Sequence, residues 1–293
     1  MRNKRLIFVL FSVLMVLAVA VSPAYAITGN FVKDNEHPFV GLVVFYDASG
    51  EFLWRCSGTL LSDQVTFLTA GHCADTVSGA VSARVYFQQD AGAHYDPATQ
   101  LDPVSGYPET CAAGTFGSTC MTSDELYNFG FTGSLTIPQT HDVGLVILDQ
   151  PITLPEYGQL PEPGQLNSLA TARGTNNTIF TASGYGLTYK EQAQNGKPNI
   201  SFRERLMAEG TLVNLNSNLN AGFNLQTNGN GAGKGGTCNG DSGGPVFLGG
   251  YSSNLVVGVT SFGLNSLCRG TDFAYRVDQP DVLAWIQSYM LPQ

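Results

Sequence analysis

The sequence predicts an all-β protein closed by one short C-terminal α-helix, and three observations carry that expectation. Apolar residues fall in runs of four to six, rich in β-branched and aromatic side chains and bounded by turn formers: Val40–Phe45, Arg84–Phe87, Ile179–Ala182 and Leu255–Val259. The 34 glycines and 14 prolines interrupt the chain too often for long helices, while a 43% hydrophobic content suffices for a packed core. Helical spacing stands out once, at Val282, Trp285, Ile286 and Tyr289, behind Asp278 as a capping residue and Pro280 in the first turn.

Residues 1–26 open with Arg2, Lys4 and Arg5, continue as an apolar run of 16 residues from Leu6 to Val21, and finish on Ala24-Tyr25-Ala26. These are the parts of a secretory signal peptide, and the run is shorter than the roughly 20 residues a spanning helix needs. The expectation is a secreted protein, extracellular or periplasmic, with no membrane association once this segment is removed. The chain beyond residue 26 carries 11 Lys+Arg against 23 Asp+Glu, a net charge of −12. That balance argues against nucleic acid or an anionic membrane as partner and is neutral towards peptides. All six cysteines lie beyond residue 26, and an even count in an exported chain points to disulfides rather than metal or redox chemistry.

After the first strand run, Thr69-Ala70-Gly71-His72-Cys73 sets a histidine beside a cysteine behind the apolar Phe67-Leu68. A polar segment of about residues 92–133 comes next and reads as an inserted surface loop. Its acidic residues Asp102, Glu109, Asp124 and Glu125 match no calcium-loop spacing and read as solvated surface. At His141-Asp142, an acidic residue opens the run Val143–Leu148, whose apolar character sets Asp142 against the core, within reach of His72. The proline-rich Gln150–Pro163 is the natural linker, dividing the mature chain into 27–160 and 161–293. Asn176 and Asn199 fit the glycosylation acceptor pattern. His37, His94 and His141 have no comparable context and are expected at surface or supporting positions.

The stretch Gly235–Pro245 presents the single hydroxyl of Ser242 on a glycine-rich turn. Glycine on both sides permits the amides of Gly240 and Ser242 to converge, and two convergent donors stabilise the oxyanion of an acyl-transfer intermediate. Alone, Gly-Asp-Ser-Gly-Gly serves equally as a plain surface turn. His72, Asp142 and Ser242, taken in that chain order, favour the nucleophile reading.

The strings Thr-Ala-Gly-His-Cys (69–73) and Gly-Asp-Ser-Gly-Gly-Pro (240–245) are joined by Ser183-Gly184-Tyr185-Gly186, Ser261-Phe262-Gly263 and Tyr275-Arg276-Val277. On these residues the sequence resembles the chymotrypsin-like (trypsin-like) serine endopeptidases over most of residues 27 to 290. The resemblance implies two antiparallel six-stranded β-barrels, the first holding His72 and Asp142, the second Ser242, with the site between them. It implies a monomeric peptide hydrolase with a His72–Asp142–Ser242 triad, an oxyanion hole at Gly240 and Ser242, peptide or protein substrates, and no metal or organic cofactor. A silent homologue kept for binding would be expected to lack one of the three residues, and all are present. The implied bridges are Cys56–Cys73 and Cys238–Cys268, which leaves Cys111 and Cys120 as a local pair.

The resemblance also implies that cleavage after Ala26 exposes Ile27, whose ammonium pairs with Asp241 and shapes the oxyanion hole. It places a specificity pocket at Gly236, Thr237, Ser261, Phe262, Gly263 and Asp272. Gly236 stands where trypsin-like members carry an acid, which argues against a cationic preference. Asp272 faces the same floor and argues for one: turned inward it selects arginine or lysine, and turned outward it leaves an apolar slot for phenylalanine, tyrosine or leucine.

Overall fold

The computed structural model describes residues 27–92, 120–170, 177–187, 203–229, 233–265 and 268–291. The expectations on residues 1–26, His94, Asp102, Glu109, Cys111, Asn176 and Asn199 lie outside the described residues. The first strands are β1 (Thr28–Gly29), β2 (Val32–Lys33), β3 (Val40–Tyr46), β4 (Phe52–Leu60), β5 (Thr66–Thr69), β6 (Ser82–Tyr86), β7 (Cys120–Ser123), β8 (Glu125–Asn128) and β9 (Gly144–Ile147). The second half adds β10 (Ile179–Gly184), β11 (Leu206–Asn214), β12 (Asn224–Asn228), β13 (Gly235–Gly236), β14 (Pro245–Leu248), β15 (Val256–Gly263), β16 (Thr271–Arg276) and the helix α1 (Pro280–Tyr289). Each of the four apolar runs lies wholly or largely within a strand, and β3 is buried along its whole length, which is why it reads as a continuous apolar run rather than an alternating one.

Two antiparallel sheets result, in the order β7-β6-β3-β4-β5-β9-β8 and β10-β14-β15-β16-β12-β11-β2. A further β10–β11 pairing closes the second into a barrel of six strands, with β2 added at its edge. In the first, β7 and β8 stand at opposite ends of the order yet are separated only by Asp124, so they are one strand bent at that residue and the barrel is nearly closed. The six strands expected of each barrel are therefore present, with one broken and one edge segment gained.

Two sequence expectations are corrected here. Residues 120–128, read as part of a surface loop, form β7 and β8, pairing with β6 and β9. Their polarity misled because each keeps an exposed position beside buried Met121 and Leu126. Asp278 does not cap α1. The N-cap is Gln279, without a side-chain bond, and Asp278 is buried with Arg276, which donates from Nε and Nη2 at 2.8 and 2.7 Å. A fork-to-fork ion pair out of water outcompetes a cap that water can replace.

The first and last described elements cross over. β1 forms a two-stranded sheet with β13, and β2 pairs with β11 at the edge of the second barrel. Helix α1 packs back on the first, burying Val282, Leu283 and Ile286 in its core, with Trp285 and Tyr289 against Phe129 and Tyr127. Each such buried aliphatic side chain contributes about 2 kcal/mol. The Cys56–Cys73 and Cys238–Cys268 bridges form as the resemblance implied, closing intervals of 17 and 30 residues, worth about 3 to 4 kcal/mol each by chain entropy.

Of the two positions expected for His37, surface or supporting, it takes the supporting one, wholly buried. Its Nδ1 lies 2.9 Å from both oxygens of buried Asp34, and its ring stacks on Phe247 of the second barrel at 4.4 Å. Ser183 Oγ donates to Asp34 Oδ2 at 2.5 Å, and Arg205 Nε donates to the Asp34 carbonyl at 3.1 Å. Burial alone would raise the Asp34 pKa, but His37, Arg205 and Ser183 outweigh it and hold the carboxyl below its ordinary value. Arg205 Nη1 also donates to the carbonyls of Val40 and Phe87, so this charge cluster bolts the seam between the barrels.

Candidate active site

Ser242 sits in the tight loop between β13 and β14. Gly240 and Gly243 have φ of 99° and 82°, a region that favours glycine. At Gly243 no side chain fits either, since a Cβ would lie 2.1 Å from Thr69 Oγ1 and 2.4 Å from the Ser57 carbonyl. The glycines thus let the loop press against β4 and β5 of the other barrel. The Ser57 amide donates to the Ser242 carbonyl at 2.8 Å, and the Gly243 amide donates to Thr260 O at 2.8 Å, so the loop is held from both barrels.

His72 and Asp142 come together through one strand pair. β5 and β9 run antiparallel with Thr69 opposite Gly144, so the turn after β5 and the residues before β9 meet at one end of the barrel. Asp142 is wholly buried, accepts the His72 backbone N–H at 2.8 Å, and has both oxygens within 3.0 Å of Nδ1. Ser261 Oγ donates to Asp142 Oδ2 at 2.5 Å. Burial opposes an imidazolium at His72, but the charge and hydrogen bond of Asp142, with a smaller attraction from Asp75, raise its pKa above the ordinary value. With Nδ1–H given to Asp142, Nε2 is left as the acceptor.

His72 and Ser242 line one cavity of about 770 Å³ together with Gly240, Thr237, Phe262 and Asp272. Asp272, on β16, accepts the Thr237 N–H at 3.1 Å, and burial pushes its pKa up to about 6. Gly236 does not line this cavity. It stands behind Asp272, where a Cβ would meet Oδ2 at 2.5 Å, and lines a smaller void with Thr260 and Phe273. Phe262 stacks on Phe273 at 4.5 Å, Gly263 pairs with Asp272 across β15 and β16, and Ser261 both lines the cavity and holds Asp142.

Asp241 is wholly buried beside the cavity, accepting the amides of Cys238 at 2.8 Å and Gly186 at 2.7 Å. Burial nevertheless pushes its pKa up to about 7, and the charge of Asp272 adds to that. The Ile27 side chain is wholly buried with Leu206 and Ala208, one residue before the β1–β13 pairing. The sulfurs of Cys56 and Cys73 lie within 4.8 Å of His72, but they are bonded to each other and offer no thiolate. His141, half-buried, lines a separate cavity of about 290 Å³ with Thr136–Thr140.

Sequence reading missed three groups here: Ser261 as the partner of Asp142, the Asp34–His37 pair, and Ser57, whose hydroxyl bonds to the Gly240 carbonyl. None carries a local signal, because each acts on residues more than a hundred positions away or was classed by its neighbours alone.

The family model described as Trypsin matches residues 26–286. Brachyurin of Leptuca pugilator is 31% identical over 245 residues, covering 80% of this chain and 88% of that protein. CLIP domain-containing serine protease B10 of Anopheles gambiae is 26% identical over 285 residues, covering 89% of this chain and 68% of that protein. Among solved structures, HL collagenase matches with a TM-score of 0.60 at 20% identity, covering 89% of this chain and 96% of that one. Human heparin binding protein gives 0.58 at 20% identity, covering 91% and 99%. At that identity the structural likeness is one of fold.

Proposed function

The chain belongs to the trypsin family and is a serine-type endopeptidase, and from that premise we propose that it is a secreted enzyme cleaving peptides through an acyl-enzyme on Ser242. Ser242 Oγ attacks the scissile carbonyl as His72 Nε2 takes its proton, which then passes to the leaving amine. Water, deprotonated by the same nitrogen, releases the acyl group. Asp142 keeps the imidazole in the required tautomer and stabilises the imidazolium, while the amides of Gly240 and Ser242 receive the oxyanion. No step calls for a metal or organic cofactor. The observation that carries this reading is the buried Asp142 bonded to His72 in the cavity that Ser242 lines.

Two carboxylates with raised pKa values, the wholly buried Asp241 and the half-buried Asp272, support the finer points. Each is more stable ionised if a cation joins it. For Asp241 the cation is the ammonium of Ile27 after removal of residues 1–26, and for Asp272 it is an arginine or lysine side chain of the substrate. The reading includes a monomer acting outside the cytoplasm, with neither nucleic acid nor membrane as partner.

The decisive experiment is Ser242→Ala. Turnover of a peptide substrate should fall by on the order of 10⁶, and a fluorophosphonate should label the unmodified protein, but not the variant, at Ser242. A variant retaining its peptidase rate ends this mechanism.

A further inference from the structure

Ser57 lies on β4 of the first barrel, wholly buried, and all its polar groups are engaged. Its hydroxyl donates to the Gly240 carbonyl at 2.8 Å and accepts the Tyr185 amide at 2.9 Å. Its backbone N–H donates to the Ser242 carbonyl at 2.8 Å, and its own carbonyl accepts Thr69 Oγ1 at 2.8 Å. Ser57 thus grips, by their carbonyls, both residues whose amides are assigned to the oxyanion hole.

We propose that Ser57 is a positioning residue, holding the oxyanion donors of the second barrel from the first. The inference rests on the assignment of Gly240 and Ser242 as those donors. The hydroxyl's direction is set on both sides. Tyr185 is fixed, its own hydroxyl donating to Gln88 O at 2.6 Å, and its amide takes a lone pair of Ser57 Oγ, leaving the proton for Gly240. Gly240, at φ 99°, has the torsional freedom of glycine and stands where a rotated peptide would turn its amide away from the cavity. The Gly240 N–H belongs to the 239–240 peptide, whose Asn239 carbonyl accepts the Leu187 N–H at 2.8 Å, and the bond from Ser57 to the Gly240 carbonyl fixes the peptide on the other side of the same Cα, so together they remove that freedom. The slot is tight: a Cβ on Gly184 would come to 3.0 Å from Ser57 Oγ. Without the hydroxyl, the buried Tyr185 amide and the Gly240 carbonyl both lose a partner, and the peptide after Gly240 loses its hold on the first barrel. Because the oxyanion exists only after attack, the effect belongs to the transition state and not to substrate binding.

Ser57→Ala tests this in the protein as secreted, with rates expressed per active site titrated by a burst of a slowly deacylating ester. We expect kcat to fall by roughly 10- to 100-fold with KM within about twofold, and the affinity for a peptide boronic acid, which forms a tetrahedral adduct, to fall with kcat. Ser57→Gly, which also removes the hydroxyl and keeps the N–H to Ser242, should give the same split if Ser57→Ala is recovered poorly. A purely structural role lowers the titratable fraction or the melting temperature and leaves the rate per titrated site unchanged, and that result overturns the proposal. A rise in KM alone overturns it as well. A wild-type protein without peptidase activity or boronate binding sinks the underlying assignment of the site instead.

Discussion

In the proposed reading substrate choice turns on Asp272, and its ionisation makes that reading testable. The carboxyl faces the cavity, is steadied by the Thr237 amide, and has a pKa pushed up to about 6 by burial. Above that pH it is anionic and attracts a cationic side chain; below it the neutral acid does not. The preference for an arginine over a matched phenylalanine substrate, measured as a ratio of kcat/KM, should therefore rise as pH climbs through about 6. In Asp272→Asn the ratio should be flat with pH and lower by about 100-fold, the size expected for a charge pair in a partly dry pocket. An unchanged ratio in the variant removes Asp272 as the determinant. Raised pKa also fixes the sign for stability: the contribution is full below the unfolded pKa and is lost as pH rises through about 6, unless a cation arrives. Sequence reading left Asp272 between two orientations because nothing local says which face of β16 meets the cavity. The pairing of Asp272 with Gly263, and the missing side chain at Gly236, turn it inward.

Among the elements, the segment between β2 and β3 does more than its composition suggests. Asp34 and His37 lie three positions apart and are wholly buried, with Ser183, Arg205 and Phe247 contributed by the second barrel. The Asp34 pKa is held below its ordinary value, so its contribution to stability is present above the unfolded pKa and is lost as pH falls through the folded one. Asp34→Asn should cost about 3 to 5 kcal/mol near neutrality, as for breaking one side of a buried ion pair, and should narrow the loss of stability on acidification below about pH 4. Urea denaturation at several pH values reads both, and a variant as stable as the wild type at pH 7 would show the cluster to be dispensable. The helix α1 was legible from its spacing and early proline, whereas β7 and β8 were not. Their polar composition matches a loop, and only pairing with β6 and β9 gives their exposed positions a strand's geometry.

For the molecule as a whole, the proposed reading makes activity and stability meet at Asp241. Its carboxyl, pushed up to about 7 by burial, lacks full compensation from the two amides it accepts. By the same sign rule, the chain retaining residues 1–26 should lose stability as pH rises from about 4 through 7, by a few kcal/mol. A form beginning at Ile27 should not, because its ammonium supplies the missing charge. Amino-terminal sequencing of secreted protein should begin at Ile27, and acetylating that amine should lower both the melting temperature at pH 8 and the activity. Full activity after acetylation would mean that Asp241 is compensated otherwise.

Much was decided by the sequence alone, and for a definite reason. The strings around His72, Asp142 and Ser242, the all-β character, the terminal helix and two of the cysteine pairs depend on backbone freedom, side-chain chemistry and family pattern that a short stretch carries complete. What only the tertiary structure decided is whatever requires two distant stretches to meet. Gly243 is needed because Thr69 and Ser57 press against it, His37 is buried because Phe247 covers it, and Ser57 bonds to the Gly240 carbonyl because β4 runs beside the loop that carries Ser242. Such contacts are set by the packing of one barrel on the other, and close packing across a seam leaves no period or motif in either strand that forms it.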